Sequence, residues 1–208
     1  MKILEPKIYE TEIKNIKEAY DEQIYNNLKI IDNINEKIKI SQTTIDTCIF
    51  ENIDFQNIEL KNVHLIDVYF KNCDLSNQSF DNVSLNRIIF EDCKLVGTTF
   101  IESNLKNIIF KNCNSKYQNF SSAKLQNIMF KDTILAESSF IEVQIKEIEF
   151  ENVNLNQTEF IKTNLKDIDF SNEDISTTIF DYNSLRGIII DRFQSPYIVG
   201  MIGVKIKE

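Results

Sequence analysis

A large apolar residue returns at every fifth position from about residue 36 to about residue 190, and few folds can accommodate that spacing. Phe occupies every tenth position from Phe70 to Phe180. Between these stand Leu65, Leu75, Leu85, Leu95, Leu105, Leu125, Leu135, Ile145, Leu155, Leu165, Ile175 and Leu185, and the one clear lapse is Ser115. Two residues before each centre stands a smaller or branched residue, such as Val63, Val68, Cys73, Val83, Cys93, Thr98, Ser103, Ala123, Thr133 or Ser138. The remaining positions are mostly Asn, Asp, Glu, Lys, Gln or Ser. A period of five matches neither the 3.6 of a helix nor the 2 of a plain strand. It matches a short extended segment with two inward side chains, followed by a corner.

A second period fixes how the segments stack. Ile88, Ile108, Ile128, Ile148, Ile168 and Ile188 recur every twenty residues, as do Gln78, Thr98, Gln118, Ser138, Thr158 and Thr178. Twenty is four fives, so the pattern predicts coils of four faces stacked in register, about 4.8 Å apart. About 31 such units make nearly eight coils and a rod roughly 37 Å long at that spacing. Stacked coils bond to the coils on either side and need few hairpins. That suits a chain with only 4 Gly and 2 Pro. Asn72, Asp92, Asn112, Asp132, Asn152 and Asn172 form an outer column, where short polar side chains bond along the stack or cap a corner.

Units such as DNVSL, IESNL, SSAKL and IKTNL resemble the pentapeptide-repeat family, and the pattern covers about three-quarters of the chain. The resemblance implies an all-β fold, a right-handed quadrilateral β-helix. Two departures, the Ile column at a usually small position and Asn where the family often has Gly, imply faces wider than the family norm. The repeat then spans 36–190, with an N-terminal capping segment at 1–35 and a C-terminal cap at 191–208. Exposed core at each end of a solenoid calls for such caps. In the tail, Phe193, Tyr197, Ile198 and Met201 fit one helical face, Pro196 suits a first turn, and Gly203 a helix stop. Val204, Lys205 and Ile206 alternate like a short strand. This helix and strand resemble the tail of the quinolone-resistance members, which implies a homodimer through the C-terminal end; the other reading is a cap alone. Near the N-terminus, Ile13, Ile16, Tyr20, Ile24 and Leu28 suit an amphipathic helix, while Leu28 and Ile30 could instead open a first coil.

Two outer surfaces are candidates for binding. Tyr69, Ile89, Ile109 and Met129 put an apolar strip on an outer wall, to be covered by the N-terminal segment or by a partner. Further along the same wall Glu147, Glu149, Asp167 and Asp169 gather, with Glu151 at the next corner. Residues 137–181 hold eleven acidic and three basic residues, nearly all of the formal net charge of −9. A solvated acidic face is the plain reading; the functional one is a negative field aimed at a basic groove. The resemblance sharpens the latter. Quinolone-resistance members bind DNA gyrase or topoisomerase IV in the manner of duplex DNA, and the same partners are implied here. Those members often carry loop insertions against the enzyme, whereas the period here is uninterrupted. The alternative is a scaffold that uses the apolar strip.

Chemistry and direct nucleic-acid binding are not expected. His64 is the only histidine and lies at an outward position, away from any nucleophile. Cys73, Cys93 and Cys113 should stack in a row, and none of the four cysteines forms a CxxC pair, so no zinc site is expected. No Gly-rich phosphate loop occurs, no cofactor is implied, and the acidic balance opposes phosphate neutralisation. MKILEPKIYE has no apolar core of a secretory signal and no apolar run nears bilayer length. The expectation is a cytoplasmic protein without membrane contact.

Overall fold

The computed structural model describes residues 1–207. Among the described residues thirteen strands occur: β1 (Glu12–Lys14), β2 (Leu28–Ile30), β3 (Ile38–Ser41), β4 (Thr44–Glu51), β5 (Ile58–Lys61), β6 (His64–Lys71), β7 (Ser84–Glu91), β8 (Asn104–Lys111), β9 (Lys124–Lys131), β10 (Ser139–Ile141), β11 (Gln144–Glu151), β12 (Glu159–Ile161) and β13 (Ile179–Phe180). Two short helices, α1 (Ile16–Glu22) and α2 (Ser195–Met201), flank the repeat.

Every strand pairing is parallel, and from β2 onward the register advances by twenty residues, as in Leu85↔Leu105 and Phe90↔Phe110. The order β1-β2-β4-β6-β7-β8-β9-β11 forms one eight-stranded wall, while β10-β12-β13 and β3-β5 belong to other faces. The chain is thus a β-solenoid of about eight coils with a short C-terminal helix, the pentapeptide-repeat fold.

Most corners are made by one residue in the left-handed region, placed two after the centre. Asn62, Asp67, Asn72 and Asn77, all with φ between 51° and 60°, turn one coil through four corners. Non-glycine residues pay a steric penalty there, and Asn and Asp pay least because their short polar side chains bond locally. Asn or Asp fills more than half of the non-glycine positive-φ positions. This is how the chain turns so often with few glycines. Gly97 is an exception with a reason: a Cβ there would sit 2.7 Å from Asn77 Oδ1.

Inside, the centres form dry ladders. Phe70, Phe90, Phe110 and Phe130 stack with centroids 4.7–5.1 Å apart and planes within 8°. Phe100, Phe120 and Phe140 form a second stack that meets the first edge-on, as between Phe110 and Phe120 at 6.3 Å. Full burial of each ring is worth about 1.5–3 kcal/mol. The inward small residues close the backbone account. Thr98 Oγ1 donates to Leu75 C=O at 3.1 Å, and Ser138 Oγ donates to Ser115 C=O at 3.0 Å while accepting Gln118 N–H.

The ends differ from the helical and strand patterns read in the sequence. The N-terminal helix covers only 16–22, where Asn15 and Glu18 form a capping box. Ile13 lies in β1, and coil stacking has begun by Leu28–Ile30, so the alternative of an early first coil holds there. At the other end α2 forms, with Pro196 in its first turn, but Phe193 belongs to the preceding 3₁₀ turn Arg192–Gln194. Val204–Ile206 form no strand: no neighbouring strand lies beside them to share a ladder, and Gly203, at φ +80°, ends the helix first.

Candidate functional site

The wall carries both surfaces singled out by sequence. Residues 69, 89, 109 and 129 share one column because β6, β7, β8 and β9 pair in register. Tyr69, Ile89, Ile109 and Met129 are all half-buried, and Tyr69 Oη donates to the Glu91 carboxylate. A segment without repeat pattern lies on the same wall. Residues 1–9 run along the wall against the direction of the coils. Lys7 N–H donates to Asp67 Oδ1 at 2.8 Å, Leu4 N–H reaches Asn107 Oδ1 at 3.4 Å, and the Met1 amine meets Glu149 at 2.7 Å. Ile3, Pro6 and Ile8 are half-buried under this strap while Leu4 and Tyr9 are exposed.

The strap explains two outward corner residues that are buried, Asp67 and Asn107. Arg87, two-pronged at 2.5 Å to each Asp67 oxygen, completes the cluster. Burial opposes the Asp67 charge, but the hydrogen bonds from Arg87 and Lys7 outweigh it and hold the pKa below the ordinary carboxylate value.

The acidic candidates converge further down the wall. Glu147, Glu149, Asp167 and Asp169 line one open groove of about 530 Å³, together with Met1, Lys146, Lys166 and the aliphatic floor of Ile145, Ile148 and Ile168. A local break in the ladder aims Glu147. The register of β11 on β9 shifts on both sides of Glu147, which lies outside the left-handed region its column otherwise favours. Among the described residues, neither the Glu147 nor the Asp167 side chain forms an ion pair. Asp169 Oδ1 accepts Ser171 N–H at 2.8 Å, and the Ser171 side chain first and this backbone bond second lower its pKa. Glu149 raises the pKa of the Met1 amine through its hydrogen bond. Glu151 stands apart from the groove, paired with Lys131 at 2.5 Å.

The third candidate lies at the C-terminal end. Phe193 and Tyr197 are 71 % and 50 % exposed and Met201 is also exposed, whereas Ile198 packs on the core. Ile202, Val204 and Ile206 add to this uncovered apolar surface.

Sequence reasoning offered the N-terminal segment as a cover for this wall without placing residues 1–9, which have no period, and it missed Glu173, an acid at a normally small inward position. Its carboxylate accepts Asn152 N–H at 2.9 Å and Val153 N–H at 2.6 Å. The mismatch with Cys73, Cys93, Cys113, Thr133 and Val153 in the same column was the available signal. Those cysteines are free and buried, with Sγ donating to carbonyls such as Phe70 and Phe90. Burial raises the Cys48 thiol to about 11, and hydrogen bonding to Cys93 followed by burial raises Cys73, so neither offers a nucleophilic thiolate. His64 Nδ1 accepts Ser84 N–H at 2.9 Å, a structural contact. Among the described residues no group of three metal-ligating side chains forms, and no helix is long and apolar enough to cross a membrane.

Stacked four-cornered coils with inward Phe and Leu ladders, and binding surfaces only on the outside, define a β-solenoid of the pentapeptide type. The family model for the pentapeptide repeat region matches residues 63–140, and over that stretch the chain is similar to pentapeptide-repeat proteins. No curated protein matches the sequence. Similar solved structures include a trypsin-treated variant of QnrB1, a plasmid-mediated fluoroquinolone resistance protein. It has 18 % identity and a TM-score of 0.41, over 96 % of this chain and 99 % of that one. Rfr23 from the cyanobacterium Cyanothece 51142 has 12 % identity and a TM-score of 0.43, over 61 % and 90 %. HetL from the cyanobacterium Nostoc sp. Strain PCC 7120, involved in heterocyst differentiation regulation, has 12 % identity and a TM-score of 0.28, over 85 % and 89 %.

Proposed function

We propose that the protein is a non-catalytic binding protein whose acidic groove engages a basic, DNA-binding surface of a type II topoisomerase, DNA gyrase or topoisomerase IV, in the place of DNA, and so modulates fluoroquinolone action. The observation that carries this reading is the convergence of Glu147, Glu149, Asp167 and Asp169 on one open groove, three of them without an ion-pair partner among the described residues. Elsewhere along the rod, several carboxylates are paired with a lysine one coil away, as in Lys111–Glu91, Lys94–Asp74 and Lys162–Glu142. The four acids of the groove outnumber Lys146, Lys166 and the Met1 amine on the same lining, which leaves it a negative field. The apolar strip is half-buried beside the strap, which gives the scaffold reading less exposed area to work with.

The test is supercoiling by purified DNA gyrase titrated with the protein, with and without a fluoroquinolone, at two salt concentrations. Inhibition or drug protection that fades with salt is expected, since exposed charges are screened within about 10 Å at 0.1 M salt. Reversing Glu147, Glu149, Asp167 and Asp169 to Lys should abolish the effect without unfolding the rod. A wild-type protein inert at low salt would end the proposal.

A further inference from the structure

The contacts of residues 1–9 differ in kind from those of the coils. Most coil amides bond to backbone carbonyls of the next coil, such as Phe100 N–H to Asn119 C=O at 2.7 Å, and others reach buried hydroxyls, such as Gln118 N–H to Ser138 Oγ. The strap amides of Leu4 and Lys7 bond only to side-chain oxygens, on Asn107 and Asp67. Both acceptors stand in the corner column, and the column is itself cross-linked, with Asn127 Nδ2 donating to Asn107 Oδ1 at 3.0 Å and Arg87 bracing Asp67. The acceptors are thus held in place by the rod and not by the strap. Ile3, Pro6 and Ile8 supply the remaining attachment, each only half-buried.

We propose that this corner column, with the apolar strip beside it, is a track for an extended peptide, and that residues 1–9 are a releasable occupant of it. A partner segment would present aliphatic residues at the spacing of Ile3, Pro6 and Ile8 and donate backbone N–H groups to Asp67 and Asn107. A positive group would follow toward Glu149, where the Met1 amine now lies. Extended peptides gain affinity from main-chain bonds and specificity from alternate side chains, and this wall offers both. Release of the strap exposes Asp67 and Asn107, two polar residues now buried, and these are satisfied again only by water or a new occupant. The inference requires no topoisomerase, since its main-chain acceptors Asp67 and Asn107 lie outside the acidic groove, which the track meets only at Glu149.

The probe is a fluorescent synthetic peptide of residues 1–10, added to the full-length chain. Full-length Ile3→Asp/Ile8→Asp, whose own strap is weakened, should bind it at least tenfold more tightly than wild type. Adding Asp67→Ala and Asn107→Ala to that variant should remove the binding. In wild type, the Leu4 and Lys7 amides should exchange hydrogen at least a hundredfold faster than those of Phe100 and Phe120. Equal peptide binding to both chains, binding to neither, or strap exchange as slow as the ladder would overturn the proposal. So would a wild-type dimer that Ile3→Asp/Ile8→Asp dissolves, since the track would then belong to the strap of a second copy.

Discussion

Glu173 occupies the inward column of Ile53, Cys73, Cys93, Cys113, Thr133 and Val153, and it is the one acid in that row. In the preceding coils the equivalent amides bond to the next coil, as Asp132 N–H does to Glu151 C=O and Cys113 N–H to Thr133 Oγ1. Here the Glu173 carboxylate stands in for both acceptors. The side chain is wedged between two coils, and an open groove of about 700 Å³ lined by Asn152, Asn154, Asn172 and Asp174 lies beside it. Burial raises its pKa, the two amide bonds oppose that, and the Glu151 charge adds to it. The folded state therefore binds this proton more tightly than the unfolded chain. The contribution of the group to stability is full below about pH 4.5 and is lost as pH rises through the raised value. Carboxylates with lowered values, such as Asp67 and Glu142, act with the opposite sign and below their ordinary values. Between pH 7 and pH 5 thermal unfolding of the wild type should shift upward relative to Glu173→Gln; equal pH slopes would refute the assignment. The acid itself was visible in the sequence, but its role was not, because only the separation of two coils lets a long side chain enter a small-residue column.

At the scale of elements, the period of five yielded the coil, and the period of twenty yielded the register now seen in pairs such as Ile108↔Ile128. What the periods could not carry were elements outside the repeat: the strap, the short α1, and the tail beyond Gly203. An alternating Val-Lys-Ile predicts a strand only where a neighbour offers a ladder. One lapse within the repeat has an energetic consequence. Ser115 replaces a Leu, and its Oγ has no hydrogen-bond partner; nor do both polar atoms of buried Gln118, three residues on. The neighbouring coils pair Leu95 with Thr98 and Leu135 with Ser138, whose hydroxyls bond to carbonyls. Ser115→Leu combined with Gln118→Thr restores that arrangement, removing stranded polar atoms that cost about 1–3 kcal/mol each. The double variant should unfold at higher denaturant concentration than wild type, whereas Ser115→Leu alone must compete with the Gln118 side chain for space. If the double variant is the less stable chain, the polar pair is satisfied in a way that the ladder logic omits.

Over the whole molecule, the solenoid leaves two ends to be closed, and they are closed unequally. The first coil is covered by α1, whose Ile16 and Ala19 are buried in the core. The last is held by Gln194, whose Nε2 donates to Phe170 and Glu173 carbonyls, and by Ile198. Beyond them Phe193, Tyr197, Met201, Ile202, Val204 and Ile206 remain exposed, an apolar grouping that a solitary rod would present to water. A second copy meeting this end through a two-fold axis would cover it, since an isologous contact needs only a self-complementary patch. Such a dimer also places two acidic grooves on one longer rod, extending the field that a DNA-binding surface would meet. Sedimentation equilibrium should therefore give twice the 24.4 kDa chain mass at micromolar concentration, and Phe193→Asp/Tyr197→Asp should return it to one. Because the charged groove lies outside the end contact, the monomeric variant would retain the groove and lose only the second copy of it. Salt-sensitive binding to gyrase should then weaken without disappearing, while a wild-type protein that sediments as a monomer would leave the exposed end as a cap alone.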